Sequence, residues 1–195
     1  MSQVTLTPFS RENTDIILRW RNSEKIRKNM LNSEIISNSQ HQKFLGTLEE
    51  DSSKLYYLVN LKSQPVAALY LISLGNQEVT WGCYIGADKM IPGLFPALFV
   101  LAGQLAFRYP ATKILRSEVA DNNDNPIKLN KFLNIPLTSK NQHTKHDGST
   151  QTFFEYKLEV TSFEKKREKA LSIIPKSLRS SIQNPIIEDT ANGYT

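Results

Sequence analysis

The chain is 195 residues long, and with 39% hydrophobic and 22% charged residues it suits one cored domain plus a tail rather than a disordered polyampholyte. Lys and Arg total 24 against 19 Asp and Glu, a net charge of +5 whose location matters more than its size. One cysteine, Cys83, excludes an internal disulfide framework and a thiolate zinc site built from a single chain, and three histidines leave little for a cluster, so no metal is expected.

The opening stretch, MSQVTLTPFSRENTD, lacks the basic-then-apolar signature of a signal peptide and points to a cytoplasmic home. Within residues 13–22, Ile16, Ile17 and Trp20 form a stripe suited to a helix, and 24–31 is expected to form a second, short one. Ser37 opens a capping box with Gln40, and the helix behind it aligns His41, Phe44, Leu45 and Leu48 on one face. LYYLVNL (55–61) and VAALYLIS (66–73) read as strands joined across residues 62–65, and Gly75-Asn76 turns the chain into a third, EVTWGCYIG (78–86). Residues 90–107 carry no charge. A membrane-spanning helix needs roughly 20 residues. Pro92 and Pro96 leave only about 11 continuous helical residues, or about 16 Å at 1.5 Å each, so a buried helix on a sheet is expected. KILRSEVA (113–120) reads as a strand, 126–133 as a helix capped by Asn125 with Pro126 in its first position, and TFFEYKLEV (152–160) as the last strand. His143 and His146 fall in a polar stretch that reads as a loop rather than a metal site.

Past 160 the composition changes. Residues 157–179 hold seven Lys or Arg against three Glu, so most of the net charge lies here. Phe163, Ala170, Ile174 and Leu178 keep near-helical spacing until Pro175 interrupts. The expected organisation is a domain over residues 1–160, then a basic helical extension and frayed tail over 161–195. That helix is expected to pack loosely, or to touch a membrane surface or partner, with fraying from 185 onward. No transmembrane segment is expected, and no aromatic–basic interleaving or helix-turn-helix signal supports nucleic acid. The order strand, helices, three strands, helix, strand, helix, strand points to an α+β fold, a mixed central sheet with helices on both faces.

The chemistry is expected where an antiparallel meander gives way to a β-α-β crossover. Gly93 lets backbone approach a ligand closely, and the first turn of the helix behind it offers N–H groups and a positive dipole end to an anion. Asn122 and Asn123 close the next strand beside that turn. Two element ends meeting at one edge make a cleft for an extended ligand, with an ordinary helix start as the plain alternative.

Ile85-Gly86, the turn with Gly93, Glu118-Val119 and the run from Asn123 through Pro126-Ile127 to Leu129-Asn130 resemble the GNAT superfamily of acetyl-CoA-dependent N-acetyltransferases. Trp20-Arg21-Asn22, Ile26-Arg27, Met30, Ile36-Ser37, His41-Gln42-Lys43-Phe44 and Trp81-Gly82-Cys83-Tyr84-Ile85 resemble one subgroup. Its members acetylate the 4-amino group of a UDP-linked amino-deoxysugar in pseudaminic acid synthesis. The resemblance covers residues 4–160. It implies a GNAT-like sheet, acetyl-CoA as co-substrate, a UDP-amino sugar as acceptor, and direct attack of the amine on the thioester with no acyl-enzyme; a homodimer stays open. It sets the cofactor against Cys83 and Ile85, whose strand supplies a backbone N–H to the oxyanion, and against Gly93, Leu94, Phe95, Asn123 and Asn130. For that reaction Arg21, Asn22, Met30, Tyr70 and Trp81 are expected at the acceptor, and residue chemistry offers Tyr84, Glu118 and His41 for catalysis.

Each has a plainer role beside it: Cys83 and the strand aromatics as core, His41 as a staple to Ile36, Glu118 as an ion-paired strand residue, Arg21 as a solvated helix residue. Three departures stand out. Met90 replaces the family's Gln or Arg, Phe95 replaces a Gly or Ala and crowds a pyrophosphate, and Asn130 stands where a tyrosine often serves as acid. An amide cannot protonate a leaving thiolate. Water, Tyr84 or unassisted departure must then serve. The alternatives are transfer to a protein amino terminus, or a degenerate acyl-CoA-binding member without catalysis.

Overall fold

The period-2 runs of the sequence pair into one eight-stranded sheet in the computed structural model, which describes residues 3–145 and 148–188. In chain order, strand β1 (Val4–Pro8) leads into helices α1 (Thr14–Asn22), α2 (Glu24–Arg27) and α3 (Asn38–Glu50). Three strands follow, β2 (Lys54–Leu61), β3 (Gln64–Ile72) and β4 (Glu78–Ile85), then α4 (Leu94–Ala106), β5 (Ile114–Ala120) and α5 (Asp124–Leu133). The chain ends with β6 (Leu137–Thr144), β7 (Thr150–Glu159), α6 (Val160–Ser172), α7 (Lys176–Gln183) and the two-residue β8 (Ile186–Ile187). The sheet order is β6-β7-β5-β4-β3-β2-β1-β8. Neighbours run antiparallel except β4 with β5 and β1 with β8, so the sheet is mixed. Helices cover both faces, as expected of an α+β fold. α4 to α7 bury one face in the main core, and α1 and α2 cover the other, packing Ile17, Trp20 and Ile26 with Leu58 of β2.

Local chemistry explains most boundaries. At α3, Gln40 N–H donates to Ser37 Oγ at 3.2 Å and Ser37 N–H to Gln40 Oε1 at 2.8 Å, the expected capping box. α4 begins at Leu94, two residues before Pro96, because a proline in the first helical turn gives up no intrahelical hydrogen bond. α5 likewise begins at Asp124 with Asn123 as its cap, so Asn125 and Pro126 lie inside its first turn rather than at its edge. The β2–β3 turn is tighter than the four residues expected. Lys62 and Ser63 both take positive φ (53° and 61°), the two-residue hairpin turn that matches strand twist, and Pro65 lies within β3.

Three expectations are corrected. His143 lies in strand β6, not in a loop, with its ring edge-on to Phe153 at 5.4 Å; His146 lies outside the described residues. Strand β6 is polar on both faces and pairs on one side only, with β7, so it carries no alternation for sequence reading to detect. The segment after 160 does not pack loosely: Phe163, Ala170, Leu171, Ile174, Leu178 and Ile182 are all in the main core, Ile174 at 1% and Ile182 at 0% exposure. Nor does the chain fray at 185, since Ile186 and Ile187 pair in parallel with Thr5 and Leu6; residues 189–195 lie outside the described residues.

Candidate active site

The sheet opens between β4 and β5. Their parallel register covers only Glu78–Thr80 against Ile114–Arg116, although β4 pairs with β3 through Ile85 and β5 pairs with β7 through Ala120. Beyond Thr80 the two central strands splay, and a cleft of about 340 Å³ fills the fork. Gly86 N–H donates to Val66 O at 3.0 Å, which fixes the antiparallel alternation. Gly82 and Tyr84 direct their backbone groups to β3, and Cys83 and Ile85 direct theirs toward the fork.

The cleft passes through the sheet, so its two ends differ. Leu115 and Val119 of β5 and Trp81 of β4 belong to the core beneath α4 and α5, and Cys83 and Ile85 pack against that core. Phe95, Leu129 and Asn130 line this end. Side-chain alternation puts Arg116, Glu118 and Tyr84 on the opposite face, where Met30, Tyr70, Lys25 and Lys28 line the cleft. Trp81 and Tyr70, grouped together in sequence, therefore stand on opposite faces. Lys25 and Lys28 have no motif signal, because two exposed lysines on a short helix look like any solvated face.

Among the described residues Glu118 is held through one oxygen, Oε1. Arg116 Nη2 reaches its Oε1 at 2.6 Å and Asn141 Nδ2 reaches the same oxygen at 3.3 Å. Arg116 also donates to Glu155 Oε2 at 2.6 Å. Burial works against the Arg116 charge, but the hydrogen bond to Glu155 and the charges of Glu118, Glu155 and Glu78 outweigh it and raise its pKa. No described residue bonds its second carboxylate oxygen, and Glu118 lines the cleft.

The aromatics form a ladder across the strands. Tyr56 and Tyr70 stack at 5.1 Å, and Tyr70 stands opposite Gly82 in the register of β3 and β4. A Cβ at Gly82 would lie 2.2 Å from the Tyr70 hydroxyl, so this glycine makes the space through which that phenol reaches the cleft. Burial pushes the Tyr70 and Tyr84 phenols well above their ordinary pKa, which keeps both as hydrogen-bond donors rather than bases. Burial likewise pushes the Cys83 thiol up to about 12, so Cys83 lines the cleft as a neutral, weakly nucleophilic group.

Of the remaining expected site residues, Phe95 and Asn123 line the cleft, and Asn22, Arg21, His41, Gly93 and Leu94 do not. Asn22 clamps the backbone of Ile36, donating to its O and accepting from its N–H, both at 2.8 Å. Arg21 Nη2 donates to Asn32 O at 2.6 Å, while its Nη1 is buried with no partner among the described residues. Together with Arg27, which reaches Ser33 O at 2.7 Å, these two side chains pin the loop between α2 and α3, and that loop starts with Met30 at the cleft. His41 is 3% exposed, stacks on Phe44 at 6.1 Å and does not line the cleft. Gly93 takes φ +77° at the start of α4, where a Cβ would lie 2.5 Å from Pro175 Cδ, so its bareness makes room for the α6–α7 turn, and it does not line the cleft. Leu94 N–H donates to Ile91 O at 3.2 Å, and Pro92 and Pro96 have no N–H, so this turn presents fewer amides to an anion than a turn of ordinary residues. Phe95 does line the cleft, with its ring 6.5 Å from Trp81. Among the described residues no His, Cys, Asp or Glu cluster is arranged to hold a metal ion, and no helix is long and apolar enough to cross a membrane.

A mixed sheet forked between its two central parallel strands, with a helix crossing over at the fork, is the fold of the GNAT N-acetyltransferases. Spermidine N-acetyltransferase from Vibrio cholerae, solved with CoA and spermine, superposes with a TM-score of 0.74 over 83% of this chain and 98% of its own, at 14% identity. N-acetyltransferase PseH from Campylobacter jejuni, solved with acetyl coenzyme A, gives a TM-score of 0.60 over 80% of this chain and 98% of its own, at 19% identity. In sequence the chain resembles acetyltransferase PseH of C. jejuni subsp. jejuni serotype O:23/36 (strain 81-176), 26% identical over 123 residues, which are 63% of this chain and 76% of that one. No protein-family model matches the chain.

Proposed function

We propose that the chain is an acetyl-CoA-dependent N-acetyltransferase whose acceptor is the amino group of a nucleotide-activated amino-deoxysugar. The observation that carries the reading is the fork. It combines backbone N–H groups of Cys83 and Ile85, a half-held carboxylate at Glu118 and an apolar channel beneath α4 and α5 in one cleft. Such a channel suits the pantetheine arm of a thioester entering from one face while the amine enters from the other. The β4 N–H groups stabilise the oxyanion, and Glu118 takes the proton that the amine nitrogen must lose. The neutral Cys83 thiol favours direct attack over an acyl-enzyme.

The acceptor end supports an anionic acceptor. Lys25 and Lys28 stand exposed at its rim, and Glu118, the one carboxylate among the described lining residues, is already paired with Arg116. A polycationic amine meets repulsion at this rim, whereas a diphosphate meets attraction. Free-thiol release is expected with a UDP-4-amino-dideoxysugar and not with spermidine or peptide amines, and acetyl-CoA is expected to raise the melting temperature. No thermal shift at millimolar acetyl-CoA overturns the enzyme reading; turnover with peptide amines alone overturns the acceptor. Glu118→Gln is expected to lower kcat about a hundredfold or more, as for loss of a positioned base.

A further inference from the structure

Arg116 stands at the closed end of the fork. It faces Thr80 in the last parallel pair before β4 and β5 part, and its side chain shares a face of the sheet with Glu118. Each nitrogen of its guanidinium donates to a different strand. Nε reaches Glu155 Oε2 of β7 at 2.6 Å, Nη1 reaches Thr80 Oγ1 of β4 at 3.4 Å, and Nη2 reaches Glu118 Oε1 of β5 at 2.6 Å. A planar fork held at three points has little freedom to turn. The direction of the Glu118 carboxylate is therefore set by the strands at the point where they part.

The surrounding charges divide the work. Glu78 and Glu155 both have a second cation, Lys157, whose Nζ lies 2.7 Å and 3.8 Å from them, whereas Arg116 is the one cation paired with Glu118 among the described residues. Two cations thus stand among three carboxylates, and a proton arriving at Glu118 neutralises the cluster. An arginine that only tied strands together would be satisfied by Glu155 and by Glu78, 3.6 Å away. Its third arm ends instead on the carboxylate that lines the cleft, and Asn141 Nδ2 holds the same oxygen at 3.3 Å.

We propose that Arg116 is the positioning residue of the transfer: it acts through Glu118, fixing Oε1 so that the second carboxylate oxygen, which no described residue bonds, faces the amine. No covalent step is added. The amine's proton passes to that second oxygen, and Arg116 touches neither substrate. This role rests on the acetyl-transfer reading above.

The test is a double-mutant cycle of Arg116→Gln with Glu118→Gln. It is read as kcat with acetyl-CoA and a UDP-4-amino-dideoxysugar and, independently of turnover, as acetyl-CoA affinity by calorimetry. Arg116→Gln is expected to lower kcat about tenfold or more when Glu118 is present, the scale of a misplaced reacting group, and less than about threefold in the Glu118→Gln background. Acetyl-CoA affinity is expected to stay at the wild-type value, because Arg116 faces away from α4 and α5. Arg116→Lys keeps the charge without the fork and is expected to lose less, again only when Glu118 is present; it completes the cycle if the glutamine variant does not fold. Equal losses in both backgrounds, the mark of a merely structural ion pair, overturn the proposal. So do an unchanged kcat in Arg116→Gln, a loss of acetyl-CoA affinity that accounts for the fall, and failure of both Arg116 variants to fold. Full turnover in Glu118→Gln, or none in the wild-type protein, overturns the acetyl-transfer reading together with this role. A loss in Glu118→Gln with no effect of Arg116 overturns the role alone.

Discussion

Cys83 shows how a residue can occupy the reacting cleft without reacting. Its side chain faces the core beneath α4, and burial holds the thiol near 12, so the thiolate population at neutral pH is negligible. Cys83→Ala is expected to retain turnover, and the wild-type thiol to resist iodoacetamide at pH 8; loss of turnover in a folded Cys83→Ala protein counts against direct attack. His41 titrates in the opposite sense. Burial lowers its pKa from 6.5, and its Nε2 is buried with no partner among the described residues, so the folded state favours neutral imidazole. The unfolded chain therefore binds the extra proton first, and stability falls as pH drops below about 6.5. In paired melting curves, His41→Phe is expected to weaken this acid-side loss, and an unchanged pH slope argues against it. Cys83, Tyr84, Glu118, Asn123 and Asn130, expected at the site from the resemblance and the turn chemistry around it, all line the cleft. The place of Asn22 and Arg21 was not legible, because their role in pinning the α2–α3 loop depends on where that loop folds back.

At the scale of elements, the fork is a register event. Nothing in the composition of β4 says that its pairing with β5 stops at Thr80, since that depends on β3 and β7 holding the two strands on diverging paths. The start of α4 is set in a similar way by a neighbour. Gly93→Ala places a Cβ against Pro175 at a positive φ, and is expected to destabilise the fold by about 1–3 kcal/mol in urea titration, the usual range for such backbone strain. Gly82→Ala meets the end of the Tyr70 side chain instead. It is expected to raise the acceptor KM by displacing that phenol while changing CoA affinity little; an effect confined to CoA overturns the placement of Tyr70 at the acceptor end. Strand β6 escaped detection because an edge strand with two polar faces has no period to read, and its place beside β7 is set by a backbone register that no local pattern announces.

For the whole molecule, the segment after 160 closes the structure at both ends. α6 and α7 complete the core over α4, and β8 adds to β1 at the far edge of the sheet. A chain ended at residue 160 is expected to lose cooperative unfolding, and Ile174→Ala in the full chain to cost about 2–5 kcal/mol, as for other buried isoleucines. Cooperative melting of the shortened chain with full stability counts against this role. Sequence alone determined the types of the elements with a clear period, β6 and β8 excepted, and the crossover after β4, because those follow from periodicity, turn residues and side-chain type, which act within a few neighbours. Only the tertiary structure decided where β4 parts from β5, which face each aromatic serves and that the basic tail is core. Each of these depends on contacts between segments far apart in the chain, and no local pattern encodes them.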